Sequence, residues 1–257
     1  MTSLSEFPAI SLEQLTSHGE LLRRYDTKYL IHLHQLPEVY TKLSSEMSIL
    51  EQNGSRCNPY TTTYFDTEDL RTYFDHLKRR RKRFKVRTRF YDSPVNGYLE
   101  IKIKKPRGQT LKVRWNQDLT NQSPVLTSTQ LDLANSALRD AFYSEIQETY
   151  QATLQTTFHR TTLFSEQSRE RITIDTQLQA HLLVDNSTSH IDLGQYCAII
   201  EIKSPSKVGS THRLFTQLGI RPSSVSKYCV AMTALHPELN GAPWREPLRV
   251  LQGASQQ

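Results

Sequence analysis

Eight segments of this chain alternate between ionic and apolar side chains, the two-residue period of a half-buried β-strand. They span residues 24–32, 60–66, 81–91, 97–105, 110–115, 153–164, 169–175 and 196–203. The most charged runs from Arg79 to Arg89, where every second residue is a cation: Arg79, Arg81, Arg83, Lys85, Arg87 and Arg89. Phe84, Val86, Thr88 and Phe90 take the opposite face. Like charges about 7–8 Å apart repel by about 2 kcal/mol per pair at an effective dielectric near 20, so a buried row of this kind calls for an anion.

The same parity recurs on the other segments. Asp26 and Lys28 oppose Tyr25, Tyr29 and Ile31; Glu100, Lys102 and Lys104 oppose Leu99, Ile101 and Ile103; Lys112 and Arg114 oppose Leu111, Val113 and Trp115. Arg169, Arg171, Thr173 and Asp175 oppose Ile172 and Ile174, and Glu201 and Lys203 oppose Ile200 and Ile202. Alternation alone is satisfied by an antiparallel sheet with one wet face. A wet face, however, mixes Ser, Thr, Glu and Lys, whereas here Arg and Lys recur with few carboxylates. Residues 36–50, 128–143, 225–235 and 210–218 carry helical apolar stripes that can cover the apolar face, the last ending at Gly219 as a cap.

The fold class that follows is α+β: an eight-stranded antiparallel β-barrel with a polar lumen and helices packed outside. Turns at Asp92-Ser93-Pro94 with Asn96-Gly97, at Pro106-Arg107-Gly108 and at Asp192-Leu193-Gly194 separate the strands. With no clear linker, residues 1–240 are expected to form one domain. Residues 241–257, polar and containing Pro and Gly, are expected to be a flexible tail.

The net charge of +6 over 257 residues is modest, so clustering rather than total charge matters. Cys57, Cys197 and Cys229 lack zinc-site or disulfide spacing, and His32, His34, His159, His181, His190 and His212 lack metal spacing. No run approaches the roughly 20 apolar residues needed to span a bilayer, and the first residues lack signal-peptide character, so a cytoplasmic location is expected. Tyr64, Phe65, Tyr73 and Phe74 read as core rather than as base-stacking groups, although Tyr residues near a tunnel mouth could hold a nucleotide ring. Arg79–Lys82 read as a solvated patch or as a guide for a polyanion.

The segments Arg24-Tyr-Asp-Thr-Lys28, Tyr64-Phe-Asp-Thr-Glu-Asp-Leu-Arg-Thr-Tyr73, Lys85-Val-Arg-Thr-Arg-Phe-Tyr91, Leu99-Glu-Ile-Lys102, Phe158-His-Arg160, Arg171-Ile-Thr-Ile-Asp175, Ile200-Glu-Ile-Lys203 and Ser224-Val-Ser-Lys227 together resemble the VTC (vacuolar transporter chaperone) polyphosphate polymerase domain. That family belongs to the triphosphate tunnel metalloenzymes, related to the CYTH phosphohydrolases. The resemblance implies transfer of the terminal phosphoryl group of ATP to inorganic polyphosphate with Mn2+ or Mg2+, in a tunnel whose two open ends would admit nucleotide and release product. It implies phosphate binding by Lys28, Arg87, Arg89, Lys102, Lys112, Arg160, Arg171, Lys203 and Lys227, with Ser226 beside them. Glu201 would be the main metal ligand and Glu100 a second candidate.

Where CYTH relatives carry ExExK, this chain reads Arg24-x-Asp26-x-Lys28, which is VTC-like. Eukaryotic polymerase subunits also carry a sensor domain and membrane helices, so a membrane partner would be a separate chain. Three functions stay open at this stage: the polymerase, a tunnel triphosphatase, and a non-catalytic binder of polyphosphate or nucleic acid. Nucleic acid is disfavoured because Phe84 and Phe90 lie opposite the cation row, where bases could not stack.

Overall fold

The computed structural model describes residues 4–17, 25–91, 96–105, 110–118, 120, 123–142, 144–184 and 188–253. Arg24, the turn residues 92–94 and 106–108, and the last four residues fall outside this set.

The alternating segments form the strands they predict: β2 (Tyr25–His32), β4 (Asn58–Asp66), β5 (Arg83–Tyr91), β6 (Asn96–Lys104), β7 (Thr110–Asp118), β8 (Gln151–Ser165), β9 (Glu170–Leu182) and β11 (Cys197–Ser204). They lie in one antiparallel sheet in the order β2-β11-β9-β8-β4-β5-β6-β7. Three short strands join it: β1 (Ala9–Ile10), β3 (Ser48–Leu50) and β10 (His190–Asp192). Among the described residues no pairing links the end strands β2 and β7. The outer edge of β2 is met instead by residues 222–223, where Ser223 N donates to the Lys28 carbonyl at 2.8 Å.

Helices α1 (Leu12–Ser17), α2 (Leu36–Leu43), α3 (Arg71–Leu77), α4 (Ser128–Phe142), α5 (Ser210–Gln217), α6 (Lys227–Leu235) and α7 (Ala242–Leu251) pack on this sheet. Helix α4 starts at a Thr-x-x-Gln box, in which Thr127 N donates to Gln130 Oε1 (3.1 Å) and Gln130 N to Thr127 Oγ1 (3.3 Å). It buries Ala134, Ala137 and Leu138 against Leu99, Ile101 and Ile103, the apolar parity of β6. Helices α2 and α5 cover Ile172, Ile174, Ile200 and Ile202 in the same way. Gly219, at φ +72°, supplies the left-handed turn that ends α5. No helix among the described residues is long and apolar enough to cross a membrane.

Two expectations are corrected. The helix expected over residues 36–50 stops at Leu43, and Ser48–Leu50 instead pairs with β8 and β1. The hydroxyl of Ser44 donates back to the Thr41 carbonyl, the local competition by which serine ends helices. The segment from Gly241, expected to be flexible, forms α7 and buries Trp244, Pro247 and Leu251. Its mean polarity hid a one-sided apolar stripe at 244, 247, 248 and 251.

Candidate anion-binding site

Side chains from all eight long strands line one cavity of about 1010 Å3, charged ones from every strand except β4, which contributes Tyr60 and Tyr64. Among the described residues eleven cationic side chains line it against four carboxylates, Asp26, Asp118, Asp175 and Glu201. Of the twelve residues singled out from the sequence, ten line this cavity: Lys28, Arg87, Arg89, Lys102, Lys112, Arg160, Arg171, Glu201, Lys203 and Lys227. Glu100 lies beneath them and Ser226 outside the lining.

Glu100, 1% exposed, sits under the β5–β7 wall. Its Oε2 accepts from Arg87 Nε at 2.8 Å and lies 2.7 Å from Arg87 Nη2, with Arg89 Nη1 at 3.8 Å. Its Oε1 accepts from Lys112 Nζ and, at 3.2 Å, from the Tyr91 hydroxyl. Burial would raise its pKa, but Arg87, Arg89 and Lys112 outweigh that and hold the carboxyl well below the usual range. Burial, followed by the charges of Arg87 and Arg89, brings Lys112 down to about 7 despite Glu100. Burial and Lys28 bring Lys102 down to about 8.

Asp175 organises the opposite wall. It accepts two bonds from Arg160, 2.6 and 2.8 Å long, and a third from Lys227 Nζ. Those cations outweigh its burial and lower it to about 2. Lys227 is the first residue of α6, whose Tyr228, Cys229 and Met232 pack with Tyr60, Tyr64, Phe158 and Ile199. Because Tyr60, Tyr64 and Ile199 also line the cavity, α6 sits on the inner face of the sheet at that end. Lys28 Nζ donates to the Val225 carbonyl (2.8 Å) and Lys85 Nζ to Ser226 Oγ (2.9 Å), while Ser226 Oγ also caps α6 by accepting from Cys229 N. Ser226 thus has structural bonds on both sides.

Glu201 differs from the other two carboxylates. Its nearest cation is Lys203 Nζ at 3.8 Å, and its side chain is 17% exposed. Burial acts to raise it, but Lys203, Lys28, Lys102 and Arg160 prevail and keep it ionised. No three His, Cys, Asp or Glu side chains converge among the described residues. A single hard oxygen donor nevertheless fits Mg2+ or Mn2+ held mainly by phosphate oxygens, since such ions often take only one or two protein carboxylates.

Sequence reasoning missed Asp175 as a site residue, although it shares the parity of Arg171. It also missed that Tyr60, Tyr64 and Tyr98 line the cation face. The argument from Phe84 and Phe90 against aromatic stacking therefore does not hold.

The protein is thus an α+β fold built on one large antiparallel sheet around a cation-lined cavity. It is similar to a structure from Hippeastrum described as a putative adenylyl cyclase with a dominant triphosphatase activity: TM-score 0.50, 13% identity, covering 82% of this chain and 96% of that one. Two proteins from Pyrococcus horikoshii OT3, PH1819 and PH1012, match with TM-scores of 0.42 and 0.38 and identities of 12% and 8%. They cover 82% and 77% of this chain and 98% and 92% of their own. A sequence comparison with curated proteins found no match. The VTC domain model matches residues 23–236, and the chain belongs to the VTC domain family.

Proposed function

We propose that this protein is a metal-dependent polyphosphate polymerase, transferring the terminal phosphoryl group of ATP to a growing polyphosphate chain and releasing ADP. The observation that carries the reading is the cavity itself, with eleven cations against four carboxylates. Such a surplus is unfavourable when empty and is matched by a chain of phosphates. The resemblance to VTC polymerase domains supports polyphosphate as the product. In this reading the curled sheet completes a tunnel across β2 and β7.

Phosphoryl transfer depends mainly on positioning and charge neutralisation. Lys28, Arg160, Arg171, Lys203 and Lys227 would bind phosphates from one side, and Arg87, Arg89, Lys102 and Lys112 from the other. The acceptor end is already ionised, so no side-chain nucleophile or general base is needed. Mn2+ or Mg2+, held by Glu201 and phosphate oxygens, would supply further neutralisation. Glu100 is assigned to ordering Arg87 and Lys112, because both its oxygens are already used.

Similarity to the Hippeastrum protein favours a second reading, a triphosphatase. Incubation with ATP and Mn2+, followed by gel analysis of polyphosphate, separates the two. ADP with a long polymer is expected. ADP with an equal amount of orthophosphate and no polymer would refute the polymerase and support the hydrolase.

A further inference from the structure

The cavity wall changes character along β6. Lys102 stands opposite Lys85, whose amine reaches Ser226 at the start of α6, so Lys102 marks the end where that helix sits. Glu100 follows with its cations, and Tyr98 comes last, about 14 Å from Lys102 at 3.4 Å per residue. Tyr98 is partly exposed and lines the cavity at the end away from α6.

The guanidinium of Arg114, from β7, lies 5.0 Å from the centroid of the Tyr98 ring. Arg114 also lines the cavity, is exposed, and has no ion-pair partner among the described residues. This contrasts with Arg87 and Arg160, whose forks are taken up by carboxylates. Tyr91 meets Tyr98 edge-on at 5.3 Å and fixes the ring from the β5 side. The result is a flat shelf at the open end of a row of phosphate-binding cations: an aromatic plate with an unpaired guanidinium laid over it.

We infer that Tyr98 and Arg114 form a stacking subsite for the base of a nucleoside triphosphate whose phosphates point inward toward Lys102 and α6. This rests on the proposed phosphate-binding reading and adds that the donor is held by its base as well as its phosphates. Planar π-systems and guanidinium groups stack on any base face, so the shelf would show little preference among bases. Inorganic triphosphate would fill the cationic row and leave the shelf untouched.

The test compares ATP with inorganic triphosphate, both titrated calorimetrically into wild type, Tyr98→Ala and Tyr98→Phe without metal, so that no turnover occurs. Tyr98→Ala is expected to weaken ATP binding about tenfold, within the range for losing one base–aromatic stack, while inorganic triphosphate binds within about twofold of wild type. Tyr98→Phe should restore ATP binding to within about threefold. Equal loss for both ligands in Tyr98→Ala, no loss for either, or a Phe variant as weak as Ala would overturn the subsite. Failure of wild type to bind either ligand would overturn the phosphate-binding reading instead.

Discussion

Replacing Glu100 with Gln keeps the shape of the side chain but removes the one negative charge beneath the β5–β7 wall. In the native protein that carboxylate is 1% exposed and joins Arg87, Lys112 and the Tyr91 hydroxyl. Removing one partner of a buried ion pair costs about 3–5 kcal/mol, because the remaining charge stays desolvated. Lys112 relaxes part of this: its side chain is 31% exposed, and with a pKa brought to about 7 it can give up its proton. Arg87 has neither escape, so the lower figure, about 3 kcal/mol, is the better expectation. For a chain near 250 residues each kcal/mol is worth about 2–4 °C, so Glu100→Gln should melt about 6–12 °C below wild type in metal-free buffer. Inorganic triphosphate should recover much of the loss, since phosphate oxygens replace the missing carboxylate and a ligand at 100 times its Kd adds about 2.7 kcal/mol. A carboxylate whose main task was to hold a metal would behave differently: its removal would leave the metal-free melt unchanged or raise it. A melting point within about 2 °C of wild type would therefore refute the assignment of Glu100 to cation ordering.

The remaining predictions concern the other charges. Lys112 and Lys102, lowered to about 7 and about 8, lose their protons in the folded protein before the unfolded chain does near 10.5. The unfolded state then binds more protons, so the stability of the empty protein should rise with pH from about 7 toward 9, and thermal melts that fall across that window would contradict the burial of these amines. Bound phosphate should reverse their depression, so calorimetry at pH 8 in two buffers of different ionisation enthalpy should detect proton uptake; none would exclude these lysines as ligands. Glu201→Gln should abolish metal-dependent turnover while leaving the fold intact by circular dichroism, and turnover equal to wild type would rule out the metal assignment. Asp175→Asn leaves Arg160 and Lys227 without their shared counter-charge, so hydrogen exchange at the α6 amides should speed up at least tenfold and slow again with inorganic triphosphate; unchanged protection would show that Asp175 does not anchor the helix.

The long strands were legible because each carries a whole surface in its parity: Leu99, Ile101 and Ile103 must be covered, and Glu100, Lys102 and Lys104 then face inward together. The helices were legible where the stripe was wholly apolar, as in α4, and illegible where two elements shared one apolar run. Leu36 to Leu50 is such a case, since its last three residues answer the edge of β8 rather than the helix period. Asp175 escaped notice because sequence shows which face a residue takes but not which cation crosses to it from the neighbouring strand. Arg160 stands opposite Asp175 only through a pairing that follows an irregularity in β8 and β9 between residues 157 and 159. Tyr91 and Tyr98 share the parity of Arg87, Arg89 and Lys102, so their place on the cation face was legible in the alternation.

The placement of α6 bears on how a polymer would leave. A tunnel open at both ends requires the end beyond Lys28 and Lys85 to be passable, yet Tyr228, Cys229, Val230 and Met232 are buried there. The Tyr228 hydroxyl is also bonded to Asp66, a buried carboxylate that accepts from the backbone of Thr72 and Tyr73 at the start of α3. Burial of a large apolar side chain is worth about 1.5–3 kcal/mol, so exposing these residues would cost on the order of 5–10 kcal/mol, comparable with the whole stability of an ordinary domain. A cost of that size cannot recur at each added phosphate. In the polymerase reading, the route that leaves this core intact runs back past Tyr98 and Arg114, at the end of the cavity away from α6.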